Sequence, residues 1–256
     1  MSKVIDVHAH VGISSTLQVA GGPEDVLRLM DANGIDQSII SPIPGYVTPR
    51  GVEDSIEQNN MIAEAVRRWP DRFPRGLGVV EPRHGKAALP EVDRVLGGLG
   101  LAGIMFHNDF NGVTVDDPRM FAIVERAAAY GNIVVMVHTA QQSMLESPFQ
   151  LIKLAQAFPE VTFLDAHPMM LTAQLSASAL VAKLCPNVYF DTCLTYHHQW
   201  PIEQAVKEIG ADRIMFGSDN PYFTVCMDKL IVEWADITEA EKEAIFSGTA
   251  KRIFQL

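Results

Sequence analysis

The sequence predicts an α/β protein, a single (β/α)8 barrel of the TIM type spanning residues 1–256, on three observations. Short apolar, β-branched segments alternate with amphipathic ones from end to end, the pattern of parallel strands joined by helical crossovers. The length of 256 residues suits a barrel of about 250. Histidines and an aspartate fall at the ends of the strand-like segments, where barrels build their sites.

Taken in order, the strands are Val4–His8, Gln37–Ser41, Gly76–Val80, Ala102–His107, Ile133–His138, Val161–Ala166, Asn187–Thr192 and Arg213–Gly217. Several lack clean apolar–polar alternation, as expected of strands covered on both faces. The first helix, Pro23–Asn33, stops at Asn33-Gly34, a left-handed cap signal. Asp54–Arg68 ends before Trp69-Pro70, and Asp117–Tyr130 ends at Gly131. Leu151–Phe158 precedes Pro159, Met169–Leu184 precedes Cys185-Pro186, and Pro201–Ile209 ends at Gly210. Thr238–Phe254 closes the chain behind a capping box, Thr238-Glu239-Ala240-Glu241. The stretches Gly12–Gly22 and Pro42–Glu53 read as long loops on the catalytic face. An open doubly wound sheet is the rival architecture, but the first turn carries His8-Ala9-His10 in place of a glycine-rich dinucleotide fingerprint.

Composition narrows the function. Hydrophobic residues make up 48%, enough for a large core. A net charge of -11 argues against nucleic acid, while local arginines still allow an anionic small-molecule substrate. Cys185, Cys193 and Cys226 form no paired framework, as in a reducing compartment. No signal peptide and no membrane-length apolar run stands in the sequence, so a cytoplasmic protein is expected, with a homodimer as an open option.

Residues i and i+2 of a strand share a face, so His8 and His10 project together and form half of a divalent-metal site. Strand four ends in His107, strand five in His138, strand six in His167, and strand eight runs into Asp219. A lone histidine at a strand end is usually a loop hydrogen-bonder; five together with Asp219 are not a coincidence of that kind. His84 and the pair His197-His198 lie on the same face, the pair with a supporting or exposed role. Arg50 and Arg83 follow strands two and three and are candidates to grip a substrate carboxylate. Tyr46, Phe110, Tyr196, Trp200, Tyr222 and Phe223 can wall a pocket, and Cys193 reads as a buried small hydrophobe rather than a thiolate ligand.

Ile5-Asp6-Val7-His8-Ala9-His10, His138, His167 and Gly217-Ser218-Asp219-Asn220-Pro221 resemble the amidohydrolase superfamily. Asn59, Asn60, Arg68, Pro70-Asp71-Arg72-Phe73 and Gly248-Thr249-Ala250-Lys251-Arg252-Ile253-Phe254 are similar to its "amidohydrolase 2" branch, which includes aminocarboxymuconate-semialdehyde decarboxylase. The resemblance implies that His8, His10 and His138 ligate metal and that Asp219 is a ligand or general base. It implies for His167 either ligation or catalysis beside the metal. Binuclear members carry a carboxylated lysine at strand four; Gly103-Ile104-Met105-Phe106-His107 has none, so one metal is expected. A histidine-rich site favours zinc, with manganese the alternative.

Two activities follow. The leading expectation is a metal-dependent hydrolase that uses metal-activated water on an amide, ester or lactone of a small carboxylated molecule, with His167 or His107 stabilising the developing charge. The alternative is non-oxidative decarboxylation of an aromatic or dienoic acid. A metal-free binding barrel is a third class, disfavoured by the intact ligand set.

Overall fold

In the computed structural model, residues 3–14, 16–45, 50–195 and 198–256 are described. The chain forms β1 (Ile5–Ser14), β2 (Val19–Gly21), β3 (Gln37–Pro42), β4 (Leu77–Val79), β5 (Gly103–Phe106), β6 (Val134–His138), β7 (Thr162–Ala166), β8 (Val188–Asp191) and β9 (Ile214–Met215). Strands β4 to β9 pair in sequence, all parallel, and β1 pairs parallel with β3. Two seams complete the circle. A bridge joins Ile40 to Gly76, and the β9 end meets β1 through Val7 N–H to Phe216 O (2.9 Å) and His10 N–H to Asn220 O (2.7 Å). Eight parallel strands therefore close into the expected (β/α)8 barrel, with β2 a short antiparallel addition to β1.

Apolar residues form two layers. Val7, Met105, Met136, Leu164 and Met215 fill the barrel interior. Val135, Val137, Phe163, Phe190 and Ile104 face outward against the helices. On β1 the alternation changes phase. Ile5 and Val7 point inward, a register shift intervenes between Asp6 and Ala9, and Ala9 and Val11 then join the outer layer. This irregularity is what turns His8 and His10 toward the axis, a common use of a bulge beside a site.

All eight expected strands are present, seven of them within two residues of their expected ends and the first extended beyond His8 to Ser14. The expected loop Gly12–Gly22 instead continues β1 to Ser14 and contains β2; Gly12, at φ 131, permits the chain to turn away there. The helix Pro23–Asn33 has its expected bounds, with proline in the first turn and Gly34 left-handed at φ 64. Helical turns over Pro82–Gly98 and the helix Val225–Trp234 went unread in the sequence. The closing helix keeps its Thr238 capping box but is interrupted by a π-turn over Ala244–Gly248, which frees Ile245 O to accept Phe216 N–H at 2.9 Å. No described helix is long and apolar enough to cross a membrane.

Candidate active site

His8, His10, His138 and Asp219 meet at the C-terminal mouth of the barrel, their ligand atoms all within 4.8 Å of one another. His8 Nε2 lies 3.0 Å from His10 Nε2 and 3.1 Å from His138 Nε2. Asp219 Oδ1 lies 3.0 Å from His10 Nε2 and 3.4 Å from His8 Nε2.

The opposite edge of each ring explains this crowding. His138 Nδ1 donates to the carbonyl oxygen of Phe106 at 2.8 Å, which can only accept. His8 Nδ1 donates to Asp191 Oδ2 at 2.6 Å, and His10 Nδ1 meets Ser41 Oγ at 2.8 Å. The Nε2 atoms of His8 and His138 therefore carry lone pairs and no proton, yet face each other at 3.1 Å. Two bare lone pairs repel at that distance unless a cation lies between them. Asp219 Oδ1 is likewise buried with no hydrogen-bond donor. Three imidazoles and one carboxylate, its Oδ1 otherwise unpartnered, fit one divalent metal ion, and outer partners that fix the tautomers are the usual companions of such a site.

The electrostatics agree. Burial, reinforced by the neighbouring imidazoles, lowers His138 well below its ordinary range, and burial also lowers His8 against the pull of Asp219 and Asp191. Both rings are thus neutral, as ligands must be. Burial alone would raise Asp219, but His8, His10 and His167 outweigh it and bring the carboxyl down to about 2.

The backbone shows the same specialisation. Asp219 and His167 both adopt left-handed φ, 52° and 66°, unusual for non-glycine residues at strand ends. Asp219 N–H donates to His8 O at 2.7 Å, while His167 N–H donates to Asp191 Oδ1 at 3.1 Å. Asp6 anchors the β9 loop by accepting Ser218 Oγ–H at 2.6 Å and Ser218 N–H at 3.1 Å. A Cβ at Gly217 would lie 2.9 Å from His8 Cβ and 3.0 Å from Asp191 Cβ, so glycine makes room for that hydrogen-bonded pair.

His167 sits beside the cluster, its Nε2 3.8 Å from Asp219 Oδ2 and its Nδ1 2.9 Å from Cys193 Sγ. Burial brings its pKa to about 4 despite Asp219. Cys193 is fully buried, and burial pushes its thiol well above the usual range, so it is a neutral thiol between His167 and His8. His107 stacks on His138 with ring centroids 4.3 Å apart, and its Nδ1 lies 2.6 Å from Glu146 Oε1. Above these groups opens a cavity of about 430 Å³, lined by His107, Glu146, His167 and Asp219 on its polar side. Its walls include Phe110, Met170, Leu194, Tyr222 and Phe223.

The two expected substrate arginines are placed elsewhere. Arg50 pairs with Asp54 and Glu57, each at 2.6 Å, and does not line the cavity. Arg83 grips Glu81 through Nε and a terminal nitrogen (2.9 and 2.8 Å) and borders only a small neighbouring pocket. Their acidic partners lie within seven residues in sequence, a signal that could have marked both as locally engaged. Trp200 is half exposed and does not reach the cavity, and His198 is exposed. Tyr46, Tyr196 and His197 lie outside the described residues. Asp191, Ser41 and Glu146 are site residues that sequence reasoning missed; Asp191 alone had a signal, a carboxylate ending a strand.

Comparison with known proteins now assigns the class. The amidohydrolase family model (Amidohydro_2) matches residues 5–256, and the chain belongs to that family. It is 24% identical over 280 residues to a 2-keto-4-carboxy-3-hexenedioate hydratase of Sphingobium, covering 89% of this chain and 81% of the relative. It is 23% identical to the gamma-resorcylate decarboxylase of Rhizobium radiobacter, covering 100% of this chain and 99% of that one. A dihydroxybenzoic acid decarboxylase of Polaromonas, solved with bound manganese and 2-nitroresorcinol, superposes with a TM-score of 0.77 at 19% identity, covering 100% of this chain and 98% of that one. These relatives overturn the leading expectation of hydrolysis: decarboxylases match the chain over its whole length. The metal ligands could not have shown this, because the same donor set serves either reaction.

Proposed function

We propose that this protein is a metal-dependent carboxy-lyase that removes CO2 from a small aromatic or dienoic carboxylic acid. The observation that carries the reading is the end-to-end match to decarboxylases, combined with a four-residue metal donor set at the floor of an aromatic-walled cavity. His8, His10, His138 and Asp219 would hold the ion. Bound manganese in a related fold favours manganese over zinc as the first ion to load. When bound, the ion supplies positive charge against which a substrate oxygen can be fixed.

The chain's own groups then handle the proton. His167 Nε2 and Asp219 Oδ2 face the cavity side by side, 3.8 Å apart, and pass to the reacting carbon a proton taken up from water, since neither holds one at rest near neutral pH. One C–H bond forms with that proton. The C–C bond to the carboxylate breaks, its electron pair returns to the ring or diene, and CO2 leaves. Phe110, Tyr222 and Phe223 exclude water from the reacting carbon, and the Tyr222 hydroxyl, which donates to Pro44 O at 2.8 Å, is pushed up to about 12 by burial and stays protonated.

The test is turnover of manganese-loaded protein on hydroxybenzoates and dienoates in D2O. CO2 release with one deuterium at the vacated carbon is expected. Water addition without CO2, or no CO2 from any acid, overturns the reading.

A further inference from the structure

The charged groups around the cavity are one-sided. Asp109, Glu146 and Asp219 line it, with His107 and His167, and among the described residues no lysine or arginine does so. The residues outside the described set, Met1, Ser2, Ser15, 46–49, Tyr196 and His197, include no lysine or arginine. The two arginines that follow strands on this face are engaged by acids: Arg50 by Asp54 and Glu57, and Arg83, which lines the small adjoining pocket, by Glu81. Away from the metal donors the walls include Leu17, Pro44, Phe110, Met170, Leu194 and Phe223, with Thr139 and Tyr222 the hydroxyl-bearing members. A carboxylate placed there would lose water, gain no cation and feel Glu146, which is itself buried.

We propose that the cavity selects acids with a single carboxylate, held at the four-residue metal donor set, whose remaining body is neutral, and that it rejects di- and tricarboxylates. This rests on the carboxy-lyase reading and deepens it by fixing the substrate class. A cavity of about 430 Å³ holds one substituted ring or a diene of similar size. It also separates this chain from its hydratase relative, whose named substrate carries three carboxyl groups.

The experiment is calorimetric binding to manganese-loaded protein of 2-hydroxybenzoate and of 4-hydroxyisophthalate, the same ring with a second carboxylate. We expect the monocarboxylate to bind at least tenfold more tightly. Leu17→Arg, at a half-exposed wall position where folding is little threatened, supplies the missing cation and should narrow that gap to below threefold. Equal or tighter binding of the dicarboxylate to the parent protein overturns the proposal; if the parent also releases CO2 from it, the carboxy-lyase reading survives alone. Failure of both acids to bind metal-loaded protein overturns that reading and this inference together.

Discussion

Asp191→Asn should cripple metal binding without touching a ligand. Asp191 is fully buried at the end of β8 and does three things at once. Its Oδ2 accepts from His8 Nδ1 at 2.6 Å, and its Oδ1 accepts from the N–H groups of His167 (3.1 Å) and Cys193 (3.3 Å). An asparagine cannot satisfy all three. With its amide nitrogen toward His8, the imidazole must move its proton to Nε2, pointing a hydrogen where the metal needs a lone pair. With its oxygen toward His8, the amide nitrogen faces two backbone donors. Loss of such an orienting partner typically weakens metal binding about 10–100-fold, equivalent to roughly 1.4–2.7 kcal/mol. Titration calorimetry with manganese on folded parent and variant measures it. An unchanged Kd in a variant of native circular dichroism would refute the claim that Asp191 sets the His8 tautomer.

Three further outcomes follow from the same geometry. Manganese at 100 times its Kd should stabilise the parent by about 2.7 kcal/mol, a thermal shift of roughly 5–10 °C that His138→Ala should abolish; an equal shift in the variant would mean the ion binds elsewhere. Gly103→Ala should be among the most damaging single substitutions in the barrel, because the new Cβ would sit 1.8 Å from the backbone oxygen of Val134 on the next strand; denaturant unfolding should show a loss above about 3 kcal/mol, and a loss under about 1 kcal/mol would contradict the packing. Burial raises Asp165 to about 7, against hydrogen bonds from Thr139 and Ser178. The folded state therefore binds this proton more tightly than the unfolded one, and the associated stability, present below about pH 4, is lost as pH rises to about 7. Asp165→Asn should flatten that slope in melts from pH 4 to 8, with an upper bound of about 4 kcal/mol gained at the alkaline end; a slope unchanged from the parent would remove Asp165 as its source.

The barrel was legible because parallel strands buried on both faces read as short apolar runs, and their ends carry the chemistry in a fixed place. That rule alone located His8, His10, His107, His138, His167 and Asp219. What escaped it depends on three-dimensional contacts with no sequence period. The phase change on β1 is a register event between strands, so the i, i+2 argument gave the right pair without revealing that Val7 also points inward. Asp191 acts on a histidine 183 residues away, and Glu146 reaches His107 from a loop. Arg50 and Arg83 follow strands, but their placement depends on the acidic neighbours that hold them, a contact that position after a strand does not reveal. Hydrolysis and decarboxylation share the metal donors, so the donor set alone does not choose between them.

The most direct test is CO2 release from an aromatic monocarboxylate as metal-free protein is titrated with manganese. The account predicts activity that rises in proportion to added metal, saturates at one equivalent, and is absent in a His8→Ala/His10→Ala double variant at any metal level. Activity that is independent of metal, or that survives in the double variant, would contradict it.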